Sequence, residues 1–187
     1  MASIIGTIAT AQEVKARWAY SEMSSERFGK NYIGQTPAHL NKLSTSHASF
    51  SQVSQQDWPI LVALIEIHGR NKVFVDNIDV HGAPQFICAA WDVLDLLNCW
   101  TLPTFGRVPY PAFLSRPPST VAAGGVDDAD PRYRAQGIPF DPKFIQSEPA
   151  IVIRPGLEML LEGYLRSILW LRCNDPNMPF LVWLPHM

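Results

Sequence analysis

The C-terminal part of the chain reads, from Ala150 to Leu184, AIVIRPGLEMLLEGYLRSILWLRCNDPNMPFLVWL. The β-branched run 151–153 predicts a strand, because such side chains pack well on a pleated surface. Arg154-Pro155-Gly156 is a turn signal, and Leu157–Leu161 predicts the strand that returns beside the first one. The beginning of this stretch therefore predicts a hairpin.

A corner follows the hairpin. Gly163 adopts backbone angles that residues with a Cβ adopt only at a cost, so the chain can bend there from a strand into a helix that begins near Tyr164. We expect Leu165, Ile168 and Leu169 to face the core of the protein. The run 178–183, MPFLVW, predicts a further strand after a loop that contains Pro176.

The corner has the residue types that bind a phosphate group. The first N–H groups of a helix lack intrahelical partners and carry partial positive charge. We expect the amides near Gly163 and Tyr164, the guanidinium of Arg166 and the hydroxyl of Ser167 to hold an anion on the side of the helix away from the core. Glu162 is placed to act as a general base, or to hold a metal that accompanies phosphates.

The sequence around this corner resembles the ParB/sulfiredoxin-like superfamily over residues 150–184. Its members have Gly-Glu-Arg-Arg, Gly-Cys-His-Arg or Asp-Gly-x-His-Arg between a strand and a helix, and this motif grips nucleotide phosphates. The matching residues here are Glu162, Gly163 and Arg166, whereas Leu165 stands where His or Arg is usual. Because Cys173 lies two helical turns beyond the corner, the resemblance does not extend to sulfiredoxin chemistry.

The resemblance implies a mixed α+β fold, with a small sheet and helices. It also implies a nucleotide or another phosphate-bearing ligand, with Mg²⁺ as the metal that accompanies a nucleotide. An enzyme of this kind would be a nucleotide-dependent phosphotransferase or phosphohydrolase acting at Glu162–Ser167. The departure at Leu165 means that binding is implied more directly than catalysis.

Two domains are predicted. Residues 1–56 form an N-terminal extension with a helix within 9–30 and a Ser- and Gln-rich loop over 44–56. Residues 57–187 form the ParB-like α/β domain, which contains the Pro-rich insertion 101–149. Since Pro interrupts regular structure, we expect this insertion to be an ordered loop layer with few short elements.

The middle of the chain predicts three further elements. The apolar run 58–68 fits a buried strand or a helix, and a helix slightly better. Lys72–Val80 alternates in a way that predicts a strand. Pro84 suits the first turn of a helix, and the spacing of apolar residues predicts that this helix continues to Asn98.

Composition narrows the class of protein. The formal net charge of −2 indicates no global positive field of the kind that binds nucleic acid. The three Cys residues form no CxxC pair, which favours reduced thiols in the cytoplasm. The apolar stretches are too short or too interrupted to cross a bilayer, so no membrane partner is expected.

Four other residues are secondary candidates for a site. Arg17, Glu22 and Arg27 lie among aromatic residues and could line a cleft, although ion pairs on a helix surface fit them better. His81 is placed near the start of the predicted helix, but it lacks the spacing of a metal-binding motif. We therefore expect no metal site formed by protein ligands alone.

Two other functions remain open at the level of sequence. One is a DNA-binding or nuclease module, which the superfamily includes and which the net charge does not favour. The other is a non-catalytic interaction protein of a phage or mobile element, in which Leu165 marks the loss of the chemistry. A large exposed aromatic patch within 101–149 would be the marker of this second alternative.

Overall fold

The computed structural model describes residues 3–24, 29, 32, 34–67, 69–103, 106–114, 142–173, 175 and 177–187. These residues form the predicted mixed α+β fold. Their contacts define two compact units. The sheet unit comprises Met1–Ile8 and His81–Met187, and the helical unit comprises Ala9–Val80. The domain boundary predicted between residues 56 and 57 thus falls inside the helical unit.

Helices dominate the N-terminal half of the described chain. They are α1 (Ala11–Met23), α2 (Ala38–Thr45), α3 (Trp58–Ile67) and α4 (Gly69–His81). The helices predicted within 9–30 and at 58–68 are therefore confirmed. The predicted loop 44–56 contains short 3₁₀ turns at Phe50–Gln52 and Gln55–Asp57. An additional strand, β1 (Ser3–Thr10), precedes α1 and has no counterpart among the predicted elements.

The strand predicted at Lys72–Val80 is wrong, because this segment belongs to α4. Its buried residues have helical spacing and are Phe74, Val75 and Ile78. Val73 and Val80, which completed the apparent alternation, are exposed. The alternation therefore came from apolar residues on two different faces of one helix.

The helix predicted from Pro84 to Asn98 is also wrong over most of its length. Gln85–Trp91 forms β2, and only Val93–Asn98 forms a helix, α5. Every residue of β2 pairs with a neighbouring C-terminal strand, from Gln85 opposite His186 to Trp91 opposite Phe180. A strand with apolar residues on both faces produces a nearly continuous apolar run, which periodicity does not distinguish from a buried helix.

The described sheet has six strands in the order β1-β2-β6-β4-β5-β3. Its other strands are β3 (Trp100–Thr101), β4 (Ala150–Ile153), β5 (Met159–Glu162) and β6 (Phe180–His186). The remaining described helices are α6 (Tyr110–Leu114), α7 (Pro142–Ile145) and α8 (Tyr164–Cys173). β4 is antiparallel to β5 and parallel to β6, so the predicted hairpin lies in the middle of the sheet.

The predicted order of strand, turn, strand, corner, helix and strand is confirmed in the C-terminal part. Helix α8 contributes Ile168, Leu169 and Trp170 to a core cluster shared with β2, β4, β5 and β6. The indole N–H of Trp170 donates a hydrogen bond to the carbonyl oxygen of Met178 at 2.6 Å. This bond ties α8 to the segment that leads into β6.

Only the two ends of the predicted insertion 101–149 belong to the described residues, namely 101–103, 106–114 and 142–149. The rest of the predicted loop layer, where an aromatic patch would mark the interaction-protein alternative, lies outside them. Within the described part of the chain, no helix has the length and apolar character that crossing a membrane requires.

Gly163 joins β5 to α8 at a point of very close packing. Its φ angle is +104°, which favours glycine. A Cβ atom added there would lie 2.4 Å from Cβ of Ala150 and 3.2 Å from its Cα. A β-bulge lies beside this contact, since Ile151 pairs with Glu162 whereas Val152 pairs with Leu160. The corner therefore requires a residue without a side chain.

We predict that Gly163→Ala lowers the free energy of unfolding by about 3 kcal/mol, from backbone strain and the collision with Ala150 together. Gly156→Ala is the matched control. Gly156 has a φ of +82° and no atom within 4 Å of an added Cβ, so its cost is the strain alone, about 1 to 2 kcal/mol. Urea unfolding of both variants checks this, and equal losses would contradict the close-packing argument.

Candidate functional site

Arg166 and Glu162 form an ion pair at the corner. The Nη2 atom of Arg166 donates a hydrogen bond to Oε2 of Glu162, across one turn. The Arg166 side chain is only 7% exposed and the Glu162 side chain 21%. The Nε–H of Arg166 is buried and has no hydrogen-bond partner among the described residues. An unpaired buried donor on a charged group is costly, so this N–H marks a place where an acceptor would bind favourably.

The position of this pair adds to its attraction for anions. Arg166 is the third residue of α8, where the helix end itself carries about +0.5 of a charge. The guanidinium adds one positive charge and the carboxylate of Glu162 removes one. A net positive charge of about 0.5 therefore remains at a partly buried site.

The expectation that Arg166 and Ser167 face away from the core is wrong. Arg166 is 6% exposed and Ser167 is fully buried. The Ser167 hydroxyl donates a hydrogen bond to the carbonyl oxygen of Tyr164 at 2.8 Å and lies 2.5 Å from the hydroxyl of Tyr110. Its backbone N–H donates to the carbonyl oxygen of Gly163 at 2.8 Å. Ser167 is buried because its polar groups bond within the protein, so it holds the corner together from inside.

Tyr164 continues this internal network. Its hydroxyl donates a hydrogen bond to the carbonyl oxygen of Leu160 at 2.7 Å and accepts one from the N–H of Leu102 at 3.0 Å. Its ring meets the ring of Phe113 edge-on at 5.3 Å. Two tyrosine hydroxyls, from Tyr110 and Tyr164, thus connect the residues after β3 to the beginning of α8.

Leu165 occupies the position where the resemblance implies His or Arg. It is half-buried and packs against the core cluster, as do Ile168 and Leu169. The expectation that these three residues face the core is therefore confirmed. Leu165 brings no group that could exchange a proton with a ligand, so the chemical groups of the corner are those of Glu162, Arg166 and the helix amides.

Two of the secondary candidates lie in the helical unit. Arg17 pairs with Glu13 at 2.8 Å, and its guanidinium lies 4.6 Å from the ring centre of Phe50. This confirms the ion-pair interpretation for Arg17. Glu22 is half-buried in the last turn of α1. Arg27 lies outside the described residues.

His81 ends α4, so its expected position near the start of a helix is wrong. Its carbonyl oxygen accepts a hydrogen bond from the N–H of Arg154 at 3.1 Å. Among the described residues, no group of three His, Cys, Asp or Glu side chains is arranged to hold a metal ion. His81 therefore stays a candidate site residue, and the contact described for it is the structural hydrogen bond with Arg154.

The thiols differ in their surroundings. Cys88 and Cys99 are buried, and Cys173 near the end of α8 is half-buried. Burial raises the pKa of Cys99 to about 12. Because the thiolate is the reactive form, Cys99 is unsuited to nucleophilic chemistry near neutral pH.

Comparison with known proteins gives no match for this chain, whether to a family model, to a curated protein or to a solved structure.

The structure adds two residues to the site that sequence reasoning missed. Ala150 matters because only a small side chain lets Gly163 approach it. Tyr110 matters because its hydroxyl meets Ser167 from 57 positions earlier in the chain. No local pattern indicates either contact. The one weak signal is that Tyr110 is a large aromatic residue between two prolines, and a Tyr that is buried usually finds a hydrogen-bond partner for its hydroxyl.

We predict that Tyr110→Phe and Ser167→Ala each lower the free energy of unfolding by about 1 kcal/mol. The double variant should lose less than the sum of the two, by a coupling of about 1 kcal/mol, because each change removes the same hydrogen bond. Urea unfolding of the two single variants and the double variant measures this coupling. Strictly additive losses would show that the two hydroxyls do not interact.

We predict that one thiol per chain, that of Cys173, reacts quickly with a thiol reagent at pH 8. Cys99 should react only when the protein unfolds, since its raised pKa keeps it protonated. Because the folded state holds this proton more tightly, Cys99 also stabilises the fold below its unfolded pKa, and that contribution is lost as the pH rises from about 9 to about 12. Cys173→Ser, which should abolish the fast reaction, is the control.

Proposed function

We propose that this chain binds a phosphate-bearing ligand, such as a nucleotide, at the corner between β5 and α8, in the manner of the ParB/sulfiredoxin-like superfamily. The observation that carries the proposal is the buried guanidinium of Arg166, whose Nε–H has no partner among the described residues. The order β4, β5, Gly163, α8 and β6 supports the resemblance.

The groups that would hold the ligand are the guanidinium of Arg166 and N–H groups in the first turn of α8, among them those of Leu165 and Arg166. An Arg presents a planar fork of donors that matches phosphate oxygens, and a helix end favours a negative ligand. Ser167 is left out of this set, because its hydroxyl and its N–H already bond within the protein. Its part is to support the corner.

Phosphoryl transfer or hydrolysis would also require Glu162 to accept a proton. Its Oε2 accepts the hydrogen bond from Arg166, so Oε1 is the oxygen that can take the proton without breaking that contact. Mg²⁺ would arrive on the phosphates of a nucleotide, because it keeps several waters and needs few protein ligands. Glu162 is the carboxylate at the corner that could join its coordination. The proposal includes a cytoplasmic location, where free thiols remain reduced.

We predict that nucleotides and inorganic phosphate raise the melting temperature of the protein, since a ligand of the folded state stabilises it. Arg166→Ala should weaken binding about 10- to 100-fold, the worth of one charge-assisted hydrogen-bonding group. Calorimetric titration with adenosine triphosphate and with phosphate measures this loss.

Arg154→Ala is the matched control for this experiment. Arg154 also pairs with a carboxylate four positions away, Glu158, at 2.8 Å, but both side chains are about half exposed. The double variant Glu162→Gln with Arg166→Gln replaces the ion pair by two uncharged amides that can hydrogen-bond. It therefore tests binding where Arg166→Ala reduces stability by leaving Glu162 as a partly buried charge without its partner. Undiminished affinity in the double variant would refute the proposed function.

A further inference from the structure

We infer that the corner selects a terminal phosphate group, a phosphomonoester or the end of a nucleotide's phosphate chain, and discriminates against phosphodiesters. This inference rests on the proposed function and specifies its class of substrate. It follows from two observations. Glu162 already accepts a hydrogen bond from Nη2 of Arg166, and little of the Arg166 side chain is exposed to solvent.

Glu162 competes with any ligand for Arg166. It holds Nη2 of Arg166, and the neighbouring Nε–H is the donor that remains without a partner among the described residues. A ligand that accepts hydrogen bonds from both Nε and Nη2 of Arg166 must displace the Glu162 carboxylate from Nη2, and this carboxylate carries one negative charge. A phosphodiester also carries one charge, so it gains little by the exchange. A phosphomonoester carries between 1.5 and 2 charges near pH 7, roughly, and three acceptor oxygens, so it competes well.

Access to Arg166 is restricted as well. Its side chain is only 7% exposed, and Leu165 beside it packs on the core. A terminal phosphate enters such a site with a single substituent directed to solvent. A diester has a substituent on each side of the phosphate, and both would need an open groove. Shape and charge therefore select the same class of ligand.

The selection also changes the state of Glu162. When a terminal phosphate takes Nη2 of Arg166, Oε2 of Glu162 loses its hydrogen-bond partner. No bond to phosphorus forms or breaks in this step, which is an exchange of hydrogen bonds. Binding of the right ligand thus leaves both carboxylate oxygens of Glu162, the candidate base of the corner, without the guanidinium.

The test compares methyl phosphate with dimethyl phosphate, which differ by one methyl group and one charge. Titrations followed by NMR, using the backbone amide signals of Leu165 and Arg166 and the Nε–H signal of Arg166, report binding at the corner itself. We expect methyl phosphate to bind the wild-type protein at least about tenfold more tightly than dimethyl phosphate. Glu162→Gln should strengthen the binding of dimethyl phosphate and narrow the difference, because the competing charge is gone.

Glu158→Gln is the matched control, since Glu158 pairs with Arg154 at the same spacing on the surface. It should change neither affinity. If Arg166→Ala weakens both probes but the wild-type protein binds them equally, the selection of terminal phosphates is wrong and the proposed function stands. If methyl phosphate binds nowhere near Leu165 and Arg166, or binds equally well to the Arg166→Ala variant, the proposed function fails and this inference fails with it.

Discussion

The approach of Gly163 to Ala150 is the contact on which the C-terminal fold depends. A Cβ atom at position 163 would lie 2.4 Å from the Cβ of Ala150, so no larger residue fits at the corner. The same contact sets the direction in which α8 leaves the sheet, because the backbone at Gly163 must turn with φ +104°. Once the helix has that direction, Ile168 falls on the core and Arg166 falls beside Glu162. The packing of α8 on the core and the ion pair at the corner thus both depend on the contact between Gly163 and Ala150.

Burying Arg166 there has a cost that the fold only partly offsets. A positive side chain near the positive end of a helix is electrostatically unfavourable, and its partial desolvation adds to that cost. Glu162 neutralises the guanidinium, but the Nε–H has no partner among the described residues. Proteins that are optimised for stability alone rarely retain such a group, whereas binding sites often do. The corner thus keeps one unsatisfied buried donor among the described residues, and the proposed binding site rests on this feature.

The sequence predicts this corner well and the middle of the chain poorly, for identifiable reasons. The hairpin, Gly163 and α8 follow from local signals, namely a β-branched run, a Pro-Gly turn and a glycine before a helix. The segment 85–91 resembles a helix because its strand carries apolar residues on both faces, and its strand state is visible only through its pairing with β6, far away in sequence. The burial of Ser167 depends on Tyr110, far away in sequence, so no local pattern could reveal it.

The two roles considered for Glu162, partner of Arg166 and general base, can use different oxygens of one carboxylate. Oε2 accepts a hydrogen bond from Arg166, so this oxygen is directed to the guanidinium and not to a water or hydroxyl of a substrate. The ligand proposed for the corner would compete with this carboxylate for Arg166. The ion pair with Arg166 is therefore compatible with the proposed chemistry, because Oε1 remains for the proton while Oε2 holds the guanidinium.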